Sequence, residues 1–442
     1  MTAVKGDSGP LLRRLDAAAD VMAAVILAYL IVLPVGHNVL LVSLLLLLGV
    51  WCVWRLLRRP RRVPPLLLAA AGCAGVAMMI GVIGGIGNPG FTHSLISWVA
   101  APVLFSVWAT QIDQRILRLF LRSAAWATVV LAALVLAFWA AGALGIDPAW
   151  WIRAPFDADI SGSWPNVIVG MYGASSLIAV GPLWIVGMFF EGKTLPPRKL
   201  MIAAAALATL AAVVSTRRAA LALELLVPIL IFLAYVALVG RDWFTRRHVR
   251  ALGATAGVAA IAAIAVLVTP AGQRMSAGVL ALVTGQGGTP DEDLRIEQIG
   301  RLWTSFLESP VFGHGIGAVI PGYARSEDRP WNFEMQYNLL LFQIGVAGVI
   351  LLIASAVLVV WAALRVVSRR GDARPAVFTT SAGALAVLAA NALNPLLQAP
   401  GHFWAVFLFV GAVAAFWPVD GHAEELSSGV ITPGDDAALR AD

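Results

Sequence analysis

Two adjacent guanidinium groups, Arg217 and Arg218, stand in Val-Val-Ser-Thr-Arg-Arg-Ala-Ala-Leu between two apolar runs, where a tight turn would ordinarily carry Gly, Asn or Ser. Such a pair suits a phosphate or diphosphate, which guanidinium groups grip with forked, charge-assisted hydrogen bonds. The plainer alternative is snorkelling to lipid phosphate. Neighbours on a helix point to different faces, so Arg217 is the stronger of the two candidates. Arg301 follows Gly300 and precedes Leu-Trp; it could bind an anion or simply form an i,i+4 pair with Glu297. Glu334 lies just before a long apolar helix, followed by Gln336, Asn338 and Gln343. Polar groups at that depth are costly and by default mark a site. Glu334 could cap the helix and interact with its dipole, or take a proton from a sugar hydroxyl as a general base. Desolvation favours the second role, and the helix N-terminus with nearby arginines opposes it. His314, between Gly313 and Gly315, is the alternative base and equally a plain turn residue. Trp303 and Trp331 are the candidates for stacking on a sugar, with Gln336 and Tyr337 beside them as acceptor contacts. Glu224 falls inside an apolar run after Arg218, where it could pair with one of the arginines.

Other chemistries lack their residues. No Gly-rich phosphate-cradling loop with its Lys is present, so a nucleotide cofactor is not indicated. No His, Cys or Asp cluster has metal-site spacing, and no cofactor is expected. Cys52 and Cys73 both lie in apolar runs and read as packing residues. His37, His93, His248 and His402 read as boundary residues.

The elements that must position these groups are membrane helices. The chain is 60% hydrophobic and 13% charged, against about 25% charged in a soluble domain. Its formal charge of +6 would suit a nucleic-acid partner only on a folded basic face, and the basic residues fall instead in short clusters between apolar runs. At about 20 residues per span, helices are expected near 17–36, 38–57, 65–87, 92–112, 123–145, 164–190, 200–215, 219–239, 252–269, 335–364, 377–394 and 402–418. The fold class is therefore all-α and polytopic, with twelve spans, a single membrane domain over 1–418 and a loop at 270–334 inserted into it. On this layout about 23 basic residues fall on one side and about 8 on the other, which makes the basic side cytoplasmic by the positive-inside rule. Both termini are then cytoplasmic, the first helix is a retained signal anchor, and 419–442 is a disordered tail. Trp51, Trp54, Trp98, Trp150, Trp151, Trp164, Trp243, Trp361 and Trp417 lie near span ends, where indole prefers the headgroup level.

The long loop has a helix start of its own: Thr289 as N-cap, Pro290 at the first position and Glu292 closing a capping box. An amphipathic helix should follow, with Ile296, Ile299, Trp303, Phe306 and Leu307 on one stripe and Gln298, Arg301, Ser305 and Glu308 on another. Pro310 ends it, and Gly-His-Gly-Ile-Gly makes a compact turn. It would lie on the outer membrane face.

In that order these motifs resemble the bacterial O-antigen ligase and O-antigen polymerase superfamily. Ser215-Thr216-Arg217-Arg218 resembles its Ser-Arg-Gly-Ala-Leu element. Gly300-Arg301-Leu-Trp303 with Pro310 and Gly313-His-Gly315-Ile-Gly317 resembles its loop pattern, and Gln343-Ile-Gly345-Val-Ala-Gly348 its re-entry end. The resemblance covers roughly 200–360. It implies a membrane fold of the C-type glycosyltransferase kind at the bacterial inner membrane. The implied reaction is a metal-independent, inverting transfer of an undecaprenyl-diphosphate-linked glycan to an acceptor hydroxyl at the periplasmic face. In the family the arginines bind the donor diphosphate, which places Arg217, Arg218 and Arg301 in that role. The family opens its re-entry helix with a His-Asn pair, the His helping to activate the acceptor. Here Glu334 and Met335 occupy those positions, a departure that favours a polysaccharide polymerase over a lipid A-core ligase. Polysaccharide assembly and export proteins would be the partners besides the lipid bilayer. A transporter or lipid flippase is the competing class, although it should place its polar groups at mid-membrane on broken helices rather than at one rim. A non-catalytic scaffold would tolerate removal of the rim charges.

Overall fold

Backbone groups in lipid must bond within their own segment, and the long Ala, Leu and Val runs do so as helices. The structure, a computed structural model, describes residues 10–162, 164, 167–215, 217–240 and 290–417. Among these, α1 (Pro10–Val32), α2 (Asn38–Arg58), α3 (Pro65–Gly85), α4 (Phe91–Thr110) and α5 (Gln114–Ala143) run nearly end to end. A β-hairpin follows, then α6 (Leu177–Gly187), α7 (Arg198–Val214), α8 (Arg218–Val239), α9 (Pro290–Glu308), α10 (Gln336–Arg369), α11 (Arg374–Ala390) and α12 (Phe403–Ala415). Eight helices among the described residues are long and apolar enough to cross a membrane. The chain is a helical, membrane-embedded protein.

The expected span at 164–190 is corrected. Residues 159–161 and 168–170 pair as antiparallel strands, Asp159 opposite Gly170. Gly162 turns at φ 81°, and Ile168 and Val169 are β-branched residues suited to a strand. Only Leu177–Gly187 is α-helical, with Pro182 inside it. The expected span at 252–269, the loop start at 270–289 and the tail at 419–442 lie outside the described residues.

The tryptophan reading is corrected in part. Trp51 is 1% exposed and donates Nε1–H to Asp20 at 3.2 Å, while Trp98 is buried. Both are core residues, because a polar partner or a packed neighbour satisfies the ring inside the protein. Trp150, Trp151, Trp164 and Trp361 are exposed. Trp243 lies outside the described residues.

The two ends of the bundle differ in charge. At one end Arg55, only 3% exposed, bonds Asp113 at 2.8 Å and stands 3.7 Å from Asp20, and Arg59 pairs with Asp16 at 2.9 Å. Asp113 also caps α5 by accepting the Ile116 N–H. At the other end, where α3 finishes, a second small apolar cluster of Leu302, Ala318, Ile320, Phe333, Met335, Leu339 and Phe342 joins α9 and the following loop to α10.

Candidate functional site at the broken helix

Helix α10 is interrupted at Gly345, with φ 62° and ψ −174°, a conformation essentially restricted to glycine. The break releases carbonyls before it and N–H groups after it, each costly if left unpaired in lipid. The Gly313–Gly317 turn satisfies them. His314 N–H donates to the Phe342 carbonyl and Gly315 N–H to that of Gln343, both at 2.9 Å. In return Val346 N–H donates to Pro310 and Ala347 N–H to Val311, at 2.9 and 3.0 Å. The turn is also keyed into α3. Ile316 N–H donates to the Gly81 carbonyl at 2.8 Å, and Asn88 Nδ2 donates to the carbonyls of His314 and Ile316. Gly313, Gly315 and Gly317 all have positive φ, and a Cβ on Gly315 would overlap the Gly84 backbone.

This fixes α9 above α10. The row that packs against protein is Gln298, Leu302 and Phe306, so the expected stripes are corrected at Phe306 and Gln298, which are both buried, while Ile296, Ile299, Trp303 and Leu307 form an exposed apolar row. Leu302 joins the apolar cluster on α10, and Gln298 on the same row satisfies backbone groups. Its Oε1 accepts the N–H of Glu334 at 2.9 Å and of Met335 at 3.0 Å, which replaces a side-chain cap at the start of α10.

Around that cap sits a charge cluster. Arg295 Nε and Arg325 Nη1 both reach Glu334 Oε2, at 2.8 and 2.6 Å. Arg301 is 3.5 Å from Glu297, the i,i+4 pair, and its guanidinium lies 5.9 Å from the centre of the Tyr323 ring. It is the most exposed of the three arginines, at 58% of its side chain. Burial and, after it, the Glu297 carboxylate push the Tyr323 phenol above its usual value. Arg295, Arg325, Gln298 and Tyr323 were not singled out from the sequence. Nothing in the spacing of the two arginines points to Glu334.

The other candidates are placed as follows. Arg217 stands at the N-cap position of α8 without a side-chain cap bond and makes no ion pair with any described residue. The residue is exposed, and desolvation of its guanidinium by neighbouring protein lowers its pKa from the ordinary arginine value. No described contact joins it to the Glu334 cluster, and the side chain of Arg218 lies outside the described residues. His314 stacks on Phe342 at 4.8 Å and its Nε2 is 2.7 Å from the Ser305 carbonyl. Nε2 must therefore carry the proton, which leaves Nδ1 as the acceptor. Gln336 is wholly buried and donates to the Phe333 carbonyl; it does not face solvent. Tyr337 donates its hydroxyl to the Leu388 carbonyl. Trp331 packs against Gly90, where no side chain would fit, and Trp303 is 49% exposed and tilted on Phe306.

Two further readings change. His402 is 4% exposed and bonds Ser175 at 2.9 Å, so it is an interior residue and not a boundary one. Glu224 does not pair with Arg217. It is 6% exposed, and neither oxygen has a hydrogen-bond partner among the described residues. It lies against Gly181 of α6, where a Cβ would overlap its Oε1, with Thr209 of α7 nearby but outside hydrogen-bond geometry. Among the described residues no group of His, Cys, Asp and Glu could hold a metal ion. No known protein family's model matches this chain, and no curated protein matches it.

Proposed function

We propose that the protein is a glycosyltransferase that extends a glycan carried on a lipid diphosphate, of the undecaprenyl-linked kind, at the bacterial inner membrane. One observation carries this reading: Arg295 and Arg301 of α9 and Arg325 of the following loop gather at the start of α10, and α9 also presents an exposed row of Ile296, Ile299, Trp303 and Leu307. Fixed cations beside an apolar surface suit a substrate that is a diphosphate at one end and a lipid at the other. The acceptor hydroxyl oxygen bonds to the anomeric carbon, and the bond from that carbon to the diphosphate oxygen breaks. The electron pair leaves with the diphosphate, whose growing negative charge guanidinium groups stabilise. The hydroxyl proton passes to a base. Glu334 Oε1, which neither ion pair uses, is the candidate base, and His314 Nδ1 is the alternative. Arg217, at the head of α8, is a second place for diphosphate. Transfer to a lipid A-core acceptor uses the same chemistry and remains the narrower variant.

The test is polymer formed from purified lipid-linked repeat units in proteoliposomes. Arg301→Ala and Arg217→Ala should each abolish or severely reduce it while the protein still accumulates. Lysine should restore only part, because a point charge cannot reproduce a two-pronged contact. Full activity in both alanine variants would exclude the donor site. A lipid-carrier flippase is the second reading. It is favoured by the buried carboxylate of Glu224 and the broken α10, both features of transporter cores. The same liposomes, given carrier without acceptor, distinguish the two: a flippase moves the carrier across the bilayer and forms no polymer.

A further inference from the structure

At the end of the bundle away from Glu334, a recess of about 430 Å³ opens between α5 and the connection from α6 to α7. The two ends are fixed by connectivity. α5 begins at Asp113, beside Arg55 in the last turns of α2, whereas α3 runs from that end to meet the glycine turn at Gly81 and Gly85. Four cations line the recess: Arg118 and Arg122 from α5, Lys193 from the connection and Arg198 at the first turn of α7. Arg118 and Arg122 are four residues apart on one helix face, an arrangement that is mutually repulsive unless something answers the charge. No described carboxylate pairs with Arg118, Arg122 or Lys193. The one acidic residue in the lining, Glu191, is 78% exposed and 3.7 Å from Arg198. Arg198 Nε is buried without a hydrogen-bond partner among the described residues. Its α7 opens into the recess with no side-chain cap, so the positive end of the helix dipole adds to the cations. Phe190, Leu195 and Met201 supply apolar wall.

Topology alone would explain basic residues at this end, but not their convergence on one concave, carboxylate-poor recess with an unanswered N–H. We propose that this recess binds a phosphate-bearing anion. The group could be the headgroup of an anionic lipid, since basic pockets between membrane helices take such headgroups, or a free phosphate. It is separate from the site around Glu334 and does not depend on the glycosyltransfer reading.

The experiment uses the full chain in detergent micelles of phosphatidylcholine doped with phosphatidylglycerol, and, separately, with inorganic phosphate. The readouts are thermal midpoint and apparent Kd. Phosphatidylglycerol should bind and raise the midpoint, and the triple variant Arg118→Gln, Arg122→Gln, Lys193→Gln should weaken it at least tenfold. A control removing the same charge elsewhere, Arg365→Gln, Arg369→Gln, Arg370→Gln, should bind as the wild type does. Binding of the lipid without phosphate assigns the site to a headgroup, and binding of inorganic phosphate assigns it to the free anion. Glu191→Gln should tighten binding, which keeps the proposal testable if the triple variant does not fold. No response to either probe, equal loss in the control, or unchanged affinity in Glu191→Gln would overturn it.

Discussion

Glu334 is held by two guanidinium groups on one oxygen, and its backbone N–H by Gln298. Its side chain therefore has a structural role as an ion-pair hub and, under the proposed reaction, a chemical one. Glu334→Gln separates them. Gln keeps the size of the side chain and removes the proton acceptor, so turnover of lipid-linked units should fall by about 10²–10⁴-fold if it is the base. Should turnover stay near normal while the protein folds, Glu334 leaves the mechanism and His314 Nδ1 becomes the group to mutate. Glu334→His restores the residue the resembled family carries there. Activity in the His variant with loss in Gln would support proton transfer.

At the scale of elements, the break in α10 is a closed account of backbone groups: two carbonyls and two N–H groups released, four hydrogen bonds returned from residues 310–315. Gly345→Ala puts a Cβ into the Val311 carbonyl at positive φ. It should destabilise the fold by at least the roughly 1–3 kcal/mol of such strain, visible as a lowered thermal midpoint and lost yield. Gly300→Ala, which meets open space on α9, should cost nothing and serves as the control. The contact of α6 with α8 makes a second prediction. Gly181→Ala overlaps Glu224 and should cost about 1–3 kcal/mol as overpacking. Shortening the partner with Glu224→Ala should relieve it, and a double-mutant cycle in which the two losses simply add would dissociate the pair.

For the whole molecule, the charge asymmetry between the two ends of the bundle leads to a proposed orientation, with the Arg55 end on the cytoplasmic side of the membrane and the Glu334 end on the opposite side. Single cysteines at the exposed positions Ala324 and Gly371, in a background lacking Cys52 and Cys73, test it in intact cells. A membrane-impermeant thiol reagent should label the first and not the second. Labelling of Gly371→Cys alone would reverse the orientation and remove the periplasmic mechanism.

What lay in the sequence was whatever depends on local composition and spacing. Runs of about 20 apolar residues force helices in lipid, and the apolar helices stand close to where those runs fall. Pro290 at a helix start and Pro310 after its end bound α9 as read. The span expected at 164–190 failed for a local reason too, since a mean of apolar content hides a turn and β-branched residues that prefer a hairpin. What no local rule reaches is pairing across the chain. Gln298 and Glu334 are 36 residues apart, Asn88 and His314 226 apart, and Gly181 meets Glu224 through the packing of two helices. The amphipathic stripe of α9 is legible as a pattern, but its direction is not. Which row faces protein is settled by partners distant in the chain, here the apolar cluster around Leu302 and the backbone N–H groups that Gln298 accepts.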